Sequence, residues 1–260
     1  MQKRTLLAAL FAAAGLLSAA GFSPACAAER VDVAAMDAAY PPFGSQDMKT
    51  GKYVGYDVDI IEAIARSEGF KVTVRNMAFD GLIPALISNN IDLAINDITI
   101  TPERAKRVAF SKRYYIAGLG IVVNADNDTI RTAGDLEGKR LAVSIGSTGE
   151  EAARGIKNAK VRVFNSLNEC YLELGNRGVD AVVNDIPTND YYVVTAGKGK
   201  AKALPVALTA EDLGIAVKKG NTELLARIDS GLAKIKANGD LSRIYKKWFG
   251  QEPPADLLKD

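Results

Sequence analysis

An α/β protein built as two similar lobes is the architecture this chain predicts, and three observations carry it. From residue 31 short β-branched runs alternate with amphipathic helical stretches, the pattern of helices packed on largely parallel sheets. After residue 122 the same order of runs begins again. Finally, IDLAINDI at residues 91–98 returns eighty-eight positions later as VDAVVNDI at residues 179–186. Buried parallel strands converge on Val, Ile and Ala in any case, which accounts for the apolar part of the repeat. The shared Asn-Asp-Ile at the carboxyl end points instead to one structural place occupied twice.

The elements follow in order. VDVAAM (31–36) reads as a strand, and YDVDIIEAIARSEG (56–69) as a helix with Val58, Ile61, Ile64 and Ala65 on one face and Gly69 in the capping place. KVTVRNM (71–77) is a strand, FDGLIPALISNN (79–90) a short helix, IDLAI (91–95) a strand, and ITPERAKRVAF (100–110) the start of a further helix. The second round runs LAVSIG (141–146), STGEEAARGI (147–156), VRVFN (161–165), LNECYLELGNRG (167–178) and VDAVV (179–183), alternating strand and helix. LGIAV (213–217) returns to the first style as a strand, and two helices meeting at Asn238-Gly239 follow it. If LGIAV joins the first sheet, the chain crosses between lobes at 114–118 and 209–213. Lobe 1 is then 28–113 with 214–260, and lobe 2 is 119–208. Two crossings form a hinge, and a hinge leaves a cleft.

Composition narrows the function. The 260 residues carry a formal net charge of +2 with no long basic run, so a nucleic-acid partner is not expected. There is no histidine and no cysteine cluster, which removes the commonest general base and the usual metal ligands. No metal or cofactor is expected, and binding is favoured over catalysis. Residues 1–27 have a basic start (Lys3, Arg4), an apolar run at 6–22 and small residues around Ala25-Cys26-Ala27, the plan of a cleaved signal peptide. Export to the periplasm is therefore expected; an uncleaved anchor is an alternative, and acylation of Cys26 is opposed by Pro24. Cleavage removes two positive charges and leaves a formal net charge of zero. It also leaves Cys170 alone, in a helical pattern with Leu167, Leu172 and Leu174 that reads as a buried structural thiol.

In parallel α/β sheets ligands collect at the carboxyl ends of the strands. Asp97 and Asp185 end the two copies of the repeat, so both can face the cleft, although Asp after a strand also serves as a cap or turn residue. For Asp185 the following Pro187 limits what it could cap. In ITITPER, Thr101 suits an N-cap and Pro102 a first helical position, which puts Arg104 in the first turn. A cation there opposes the helix dipole unless an anion binds, and a guanidinium fork matches a carboxylate. An ion pair with Glu103 is the ordinary alternative. Gly146, Ser147 and Thr148 lie between a strand and a helix and would present N–H groups to the same anion. Asp37, Tyr40, Phe43 and Phe79 follow strands of lobe 1, and their rings would wall a ligand or simply pack. One Arg facing three Asp suits a small molecule with a carboxylate and at least one ammonium.

Several blocks, in this order, resemble one family: YVGYDVDI, FDGLIPALISNNIDLAI, ITITPERAKRVAFSKRYY, YLELGNRGVDAVVNDIP and IYKKWFG. The chain is similar to the periplasmic amino-acid-binding proteins of ABC importers (solute-binding protein family 3), above all the glutamine and the lysine/arginine/ornithine binders. The resemblance implies the type II two-lobed fold, a monomer, and a membrane permease as partner. It also implies that Arg104 takes an α-carboxylate with N–H groups of Thr99 and Thr148. Asp185 and the Thr99 hydroxyl would take the α-ammonium, and Asp37, Tyr40 and Phe79 would meet the ligand's side chain. Against the glutamine binders this chain has Asp97 in place of Gly, Ser144 in place of Lys, and Asn184-Asp185 in place of a His-Asp pair, while Gly146-Ser147-Thr148 matches the basic-amino-acid binders. The pocket becomes more negative, which implies a cationic ligand (lysine, arginine, ornithine or histidine) ahead of glutamine. A dehydratase-like enzyme on the same fold is the alternative from another class.

Overall fold

The structure is a computed structural model that describes residues 31–259, so residues 1–27, expected to direct export, lie outside the described residues. Its first strand, β1 (Val31–Met36), leads into a small sheet of β2 (Ala39–Tyr40), β3 (Gly44–Gln46) and β4 (Tyr53–Val54). Helix α1 (Tyr56–Glu68) ends at Gly69, whose φ of 65° is the left-handed cap that glycine adopts without penalty. Then come β5 (Lys71–Asn76), α2 (Leu82–Ile87), β6 (Leu93–Ala94) and α3 (Pro102–Arg107), with the Thr101 hydroxyl accepting the Arg104 N–H at 3.2 Å as an N-cap.

Beyond α3 the structure departs from the sequence pattern. The helix expected across 100–110 stops at Arg107, and β7 (Val108–Ala117) begins at once. The cause is tertiary: β7 pairs antiparallel with β13 (Glu211–Lys218) from Val108↔Lys218 to Ala117↔Glu211, and that ladder outweighs a helical preference spread over a few residues.

Lobe 2 runs β8 (Leu119–Asn124), β9 (Arg140–Ser144), α4 (Thr148–Arg154), β10 (Lys160–Phe164), α5 (Leu167–Gly175), β11 (Ala181–Asp185), α6 (Ile186–Val194) and β12 (Ala201–Ala203). After β13 the chain closes on lobe 1 with α7 (Thr222–Ala237), α8 (Asp240–Phe249) and α9 (Ala255–Leu258). No helix among the described residues is long and apolar enough to cross a membrane.

The sheets explain the repeat. One has the order β5-β1-β6-β13-β7 and the other β10-β9-β11-β8-β12. Strand β6 pairs parallel with β1 and antiparallel with β13; β11 pairs parallel with β9 and antiparallel with β8. The two copies of the motif are therefore the middle strands of equivalent sheets, and both carboxyl ends open between the lobes.

Each sheet has its own core. Ile60, Ile64, Ile215, Ile228 and Leu232 pack under the first, with Ile121, Leu141, Val143 and Val183 under the second. A third apolar cluster joins Tyr40, Phe79 and Leu86 of lobe 1 to Val122, Ala142, Tyr171 and Val182 of lobe 2. The crossings are tight as well: a Cβ on Gly118 would lie 2.3 Å from the Thr209 carbonyl oxygen, so only glycine lets the two connections pass. Cys170 is fully buried, and burial pushes its thiol up to about 12, which fits an inert structural role.

Candidate functional site

The lobe 1 wall is set from the backbone outward. Asp97 follows β6 in the left-handed region (φ 52°), a conformation Asp tolerates better than most side chains. Its N–H donates to Asp57 Oδ2 at 3.0 Å, and Asp57 is fully buried on α1. That bond holds the turn, and the Asp97 side chain reaches Thr188 of α6. Two residues on, Thr99 bridges to Leu213, and Ile100 N–H donates to the Asp212 carbonyl at 2.8 Å, so this strand end is tied to β13. Arg104 then folds back over it: one guanidinium nitrogen donates to the Thr99 carbonyl at 2.9 Å, and the guanidinium lies 5.4 Å from the centre of the Phe79 ring. Glu103 pairs with Lys106 rather than with Arg104.

The other wall meets it directly. A second Arg104 nitrogen donates to the Gly146 carbonyl at 3.0 Å, Tyr40 donates to Ser144 Oγ at 2.9 Å, and the Thr188 hydroxyl donates to Asp97 Oδ2 at 3.3 Å. Each of these bonds links lobe 1 to lobe 2. Tyr40 and Phe79 stand 5.6 Å apart, centre to centre, and floor the space between. Asp185 caps the start of α6 by position only, since its side chain makes no cap bond there. Asp97 Oδ1 and Asp185 Oδ1 are both buried with no hydrogen-bond partner, an arrangement that costs free energy and asks for a donor.

Electrostatics agree with that geometry. Burial raises the Asp97 carboxyl well above its ordinary range, and neighbouring Asp185 and Asp57 raise it further. Asp185 goes up to about 8, first through burial and then through Glu211, with Arg104 opposing. Asp57 rises to about 7 because it is wholly desolvated. Two carboxyls sharing one dry site cannot both ionise cheaply, so the cleft has a standing preference for a proton or another cation. Burial lowers the Arg104 guanidinium from its usual value, and Asp185 and Glu211 counter the shift.

The structure brings most of the expected residues together and shows what several of them already bond to. Asp37 is buried, but both its oxygens are engaged, accepting Ala39 N–H at 2.9 Å and Phe79 N–H at 3.3 Å. It shapes the Tyr40 loop and positions Phe79 rather than presenting a bare carboxylate. Ser147 is the N-cap of α4: its hydroxyl accepts Glu150 N–H at 3.1 Å and donates to the Ser144 carbonyl at 2.7 Å. The loop expected to offer an anion several N–H groups offers fewer, because Gly146 N–H is taken by Glu150 Oε2 and Ser147 N–H by the Ser144 carbonyl. Thr148 N–H, in the first turn, is one of the donors a helix cannot satisfy internally. Asn184 is buried, its carbonyl accepts from Asn189, and its Nδ2 has no partner.

Glu211 was missed by sequence reasoning. It accepts hydroxyls from Thr99 at 2.5 Å and Thr148 at 3.0 Å through Oε2, and from Thr209 at 2.9 Å through Oε1. The only signal was an acid at the second crossing, which reads equally as a turn residue. Asp57 and Thr188 were missed for the same reason: a first-turn Asp and a helix Thr are ordinary until the lobes are assembled.

A family model for the bacterial extracellular solute-binding proteins, family 3, matches residues 33–251. The L-arginine-binding protein of Pseudomonas aeruginosa is 35% identical over 258 residues, covering 96% of this chain and 97% of its own. The L-cystine-binding protein TcyJ of Escherichia coli (strain K12) is 32% identical over 234 residues, 86% of this chain and 83% of its own. Among solved structures, the arginine-, lysine-, histidine-binding protein ArtJ from Geobacillus stearothermophilus superposes with a TM-score of 0.83 at 34% identity, covering 89% of this chain and 100% of that one. Equivalent sheets in two lobes, an acid at the tip of each middle strand and a match along nearly the whole described chain lead to one assignment: the protein belongs to the bacterial extracellular solute-binding proteins, family 3.

Proposed function

We propose that this chain captures a cationic amino acid outside the cytoplasm and delivers it to the membrane permease of an ABC importer. The observation that carries the reading is the pair of buried, unpartnered carboxyl oxygens of Asp97 and Asp185 in the same interlobe space as the Arg104 guanidinium. In this reading Arg104 and the Thr148 N–H hold the α-carboxylate, while Asp185 and the Thr99 hydroxyl oxygen take the α-ammonium. Asp97 faces the second positive charge of the ligand's side chain, and Tyr40 and Phe79 pack against its methylenes. Closing the lobes around the ligand replaces water by these fixed partners. An affinity of about 1 μM corresponds to roughly −8 kcal/mol, which a bidentate Arg pair and two satisfied carboxyls can supply in good part. Relatives that bind arginine, lysine and histidine support a cationic ligand.

Glutamine is the second reading, because Asn184 has an unpartnered amide nitrogen that would serve a neutral side-chain oxygen. Calorimetric titration of the mature protein separates the two. Binding at about 1 μM or tighter for at least one of arginine, lysine, ornithine and histidine is expected. Tight binding of glutamine, with all four silent, would refute the cationic reading. Turnover of a bound compound would move the chain to the dehydratase-like class instead.

A further inference from the structure

Glu211 opens β13 at the root of the cleft, where the chain returns from lobe 2, and is 9% exposed. Strand alternation decides its direction: Asp212 turns outward to Arg113, whereas Glu211 and Leu213 turn inward. The hydroxyls it receives come from three parts of the molecule, Thr99 of lobe 1, Thr148 of lobe 2 and Thr209 of the crossing. Thr209 Oγ1 in turn accepts the Leu119 N–H at 2.9 Å, the first residue of β8. One carboxylate thus ties together both lobes and the connection between them.

The chemistry of a hydroxyl gives this contact a consequence. Each hydroxyl has one hydrogen to donate, and once that hydrogen is given to Glu211 the oxygen offers only lone pairs to anything else. The Thr99 and Thr148 oxygens stand 3.5 Å apart, both within reach of Glu211 Oε2. We propose that Glu211 is a positioning residue that latches the lobes together and turns Thr99 and Thr148 into obligate acceptors, so that this point of the cleft selects a protonated amine. Without the latch either hydroxyl could rotate and donate to a ligand oxygen, and the selection would weaken. The identity of the amine as a ligand's α-ammonium rests on the reading given under Proposed function; the latch itself does not.

The test compares wild type with Glu211→Gln, whose amide keeps the shape but replaces an acceptor oxygen with a donor. Calorimetry with arginine and with 5-guanidinopentanoate, which keeps the carboxylate and side chain and lacks only the α-amine, reads the selection. The preference for arginine is expected to fall at least about tenfold in the variant, the scale of one hydrogen bond to a charged group. Pulsed dipolar spectroscopy between spin labels at Met48 of lobe 1 and Leu172 of lobe 2, both exposed, reads the latch in the ligand-free protein. The distance distribution is expected to lengthen and broaden in Glu211→Gln. An unchanged arginine preference, equal losses for both compounds, or an unchanged distance distribution each overturns the proposal. If wild type binds no amino acid, the function proposed above fails and the distance measurement alone decides the latch. Should Glu211→Gln not fold, Thr148→Val cuts the lobe 2 arm and is read in the same way.

Discussion

The two copies of the Asn-Asp-Ile motif begin from equivalent strands and end differently. In lobe 1 the chain leaves β6 through a left-handed Asp97 pinned by Asp57, then runs extended into Thr99 and the Arg104 turn. In lobe 2 it leaves β11 straight into α6, and Asp185 sits over the helix start without capping it. Asp97 keeps one cross-lobe donor, Thr188, whereas Asp185 faces Arg104 and Glu211 electrostatically. Similar sequence therefore secures a similar place in each sheet, while the residues just after it decide what the acid can do. In the function proposed above, Asp185 holds a charge fixed in every amino acid and Asp97 discriminates among side chains.

Breaking the anion partner should have the largest effect. Arg104→Ala removes a guanidinium shared by both walls, and binding of a cationic amino acid should weaken by about 3–5 kcal/mol, more than a hundredfold. Thermal unfolding of the ligand-free variant should stay near wild type, because Arg104 spans the cleft and not a core; retained affinity would remove it from the site.

Separating the two acids is the next step. Asp185→Asn should cost about 2–3 kcal/mol of affinity for every amino acid tested, since it weakens the grip on the α-ammonium. Asp97→Asn should cost about 1–2 kcal/mol for arginine or lysine and less for glutamine, measured by the same titration. If both substitutions weaken all ligands alike, the division of roles is wrong.

The raised carboxyls make a pH prediction with a definite sign. Asp185, near 8 in the folded protein against about 4 unfolded, binds more protons in the folded state, so ligand-free stability should fall as pH rises through that window. Asp97→Asn should flatten that fall. A bound cation favours the ionised acids, so binding should release protons and tighten as pH rises from about 5 towards 8. Titrations in buffers of different ionisation enthalpy would check this, and proton uptake on binding would contradict it. The smallest effect belongs to Thr101→Ala, which removes the cap of α3 and should cost about 1 kcal/mol of stability, read by denaturant midpoint.

Much of this architecture was legible because it rests on short-range rules. The repeated strand, the Gly69 cap and the Thr101-Pro102 helix start each carry their own local signal, and together they order the lobes and the Arg104 turn. What escaped depends on pairing across the molecule. Val108 continues a helical pattern until β13 is there to pair with it. Glu211 looks like a turn acid until the β13 alternation points it at three hydroxyls. Ser147 reads as a ligand donor until α4 claims it as a cap. Asp37 reads as a free acid until the Phe79 backbone folds onto it.

Whether Arg104 and the two motif acids converge on one ligand is decided by a crystal structure of the protein grown with arginine. The ligand's carboxylate is expected on the Arg104 guanidinium, its α-ammonium on Asp185 and its side chain running between Tyr40 and Phe79 towards Asp97. Arginine lodged elsewhere, for instance in the aromatic groove of 470 Å³ beside Tyr115, Trp248 and Tyr191, with the Arg104 contacts unchanged, would contradict it.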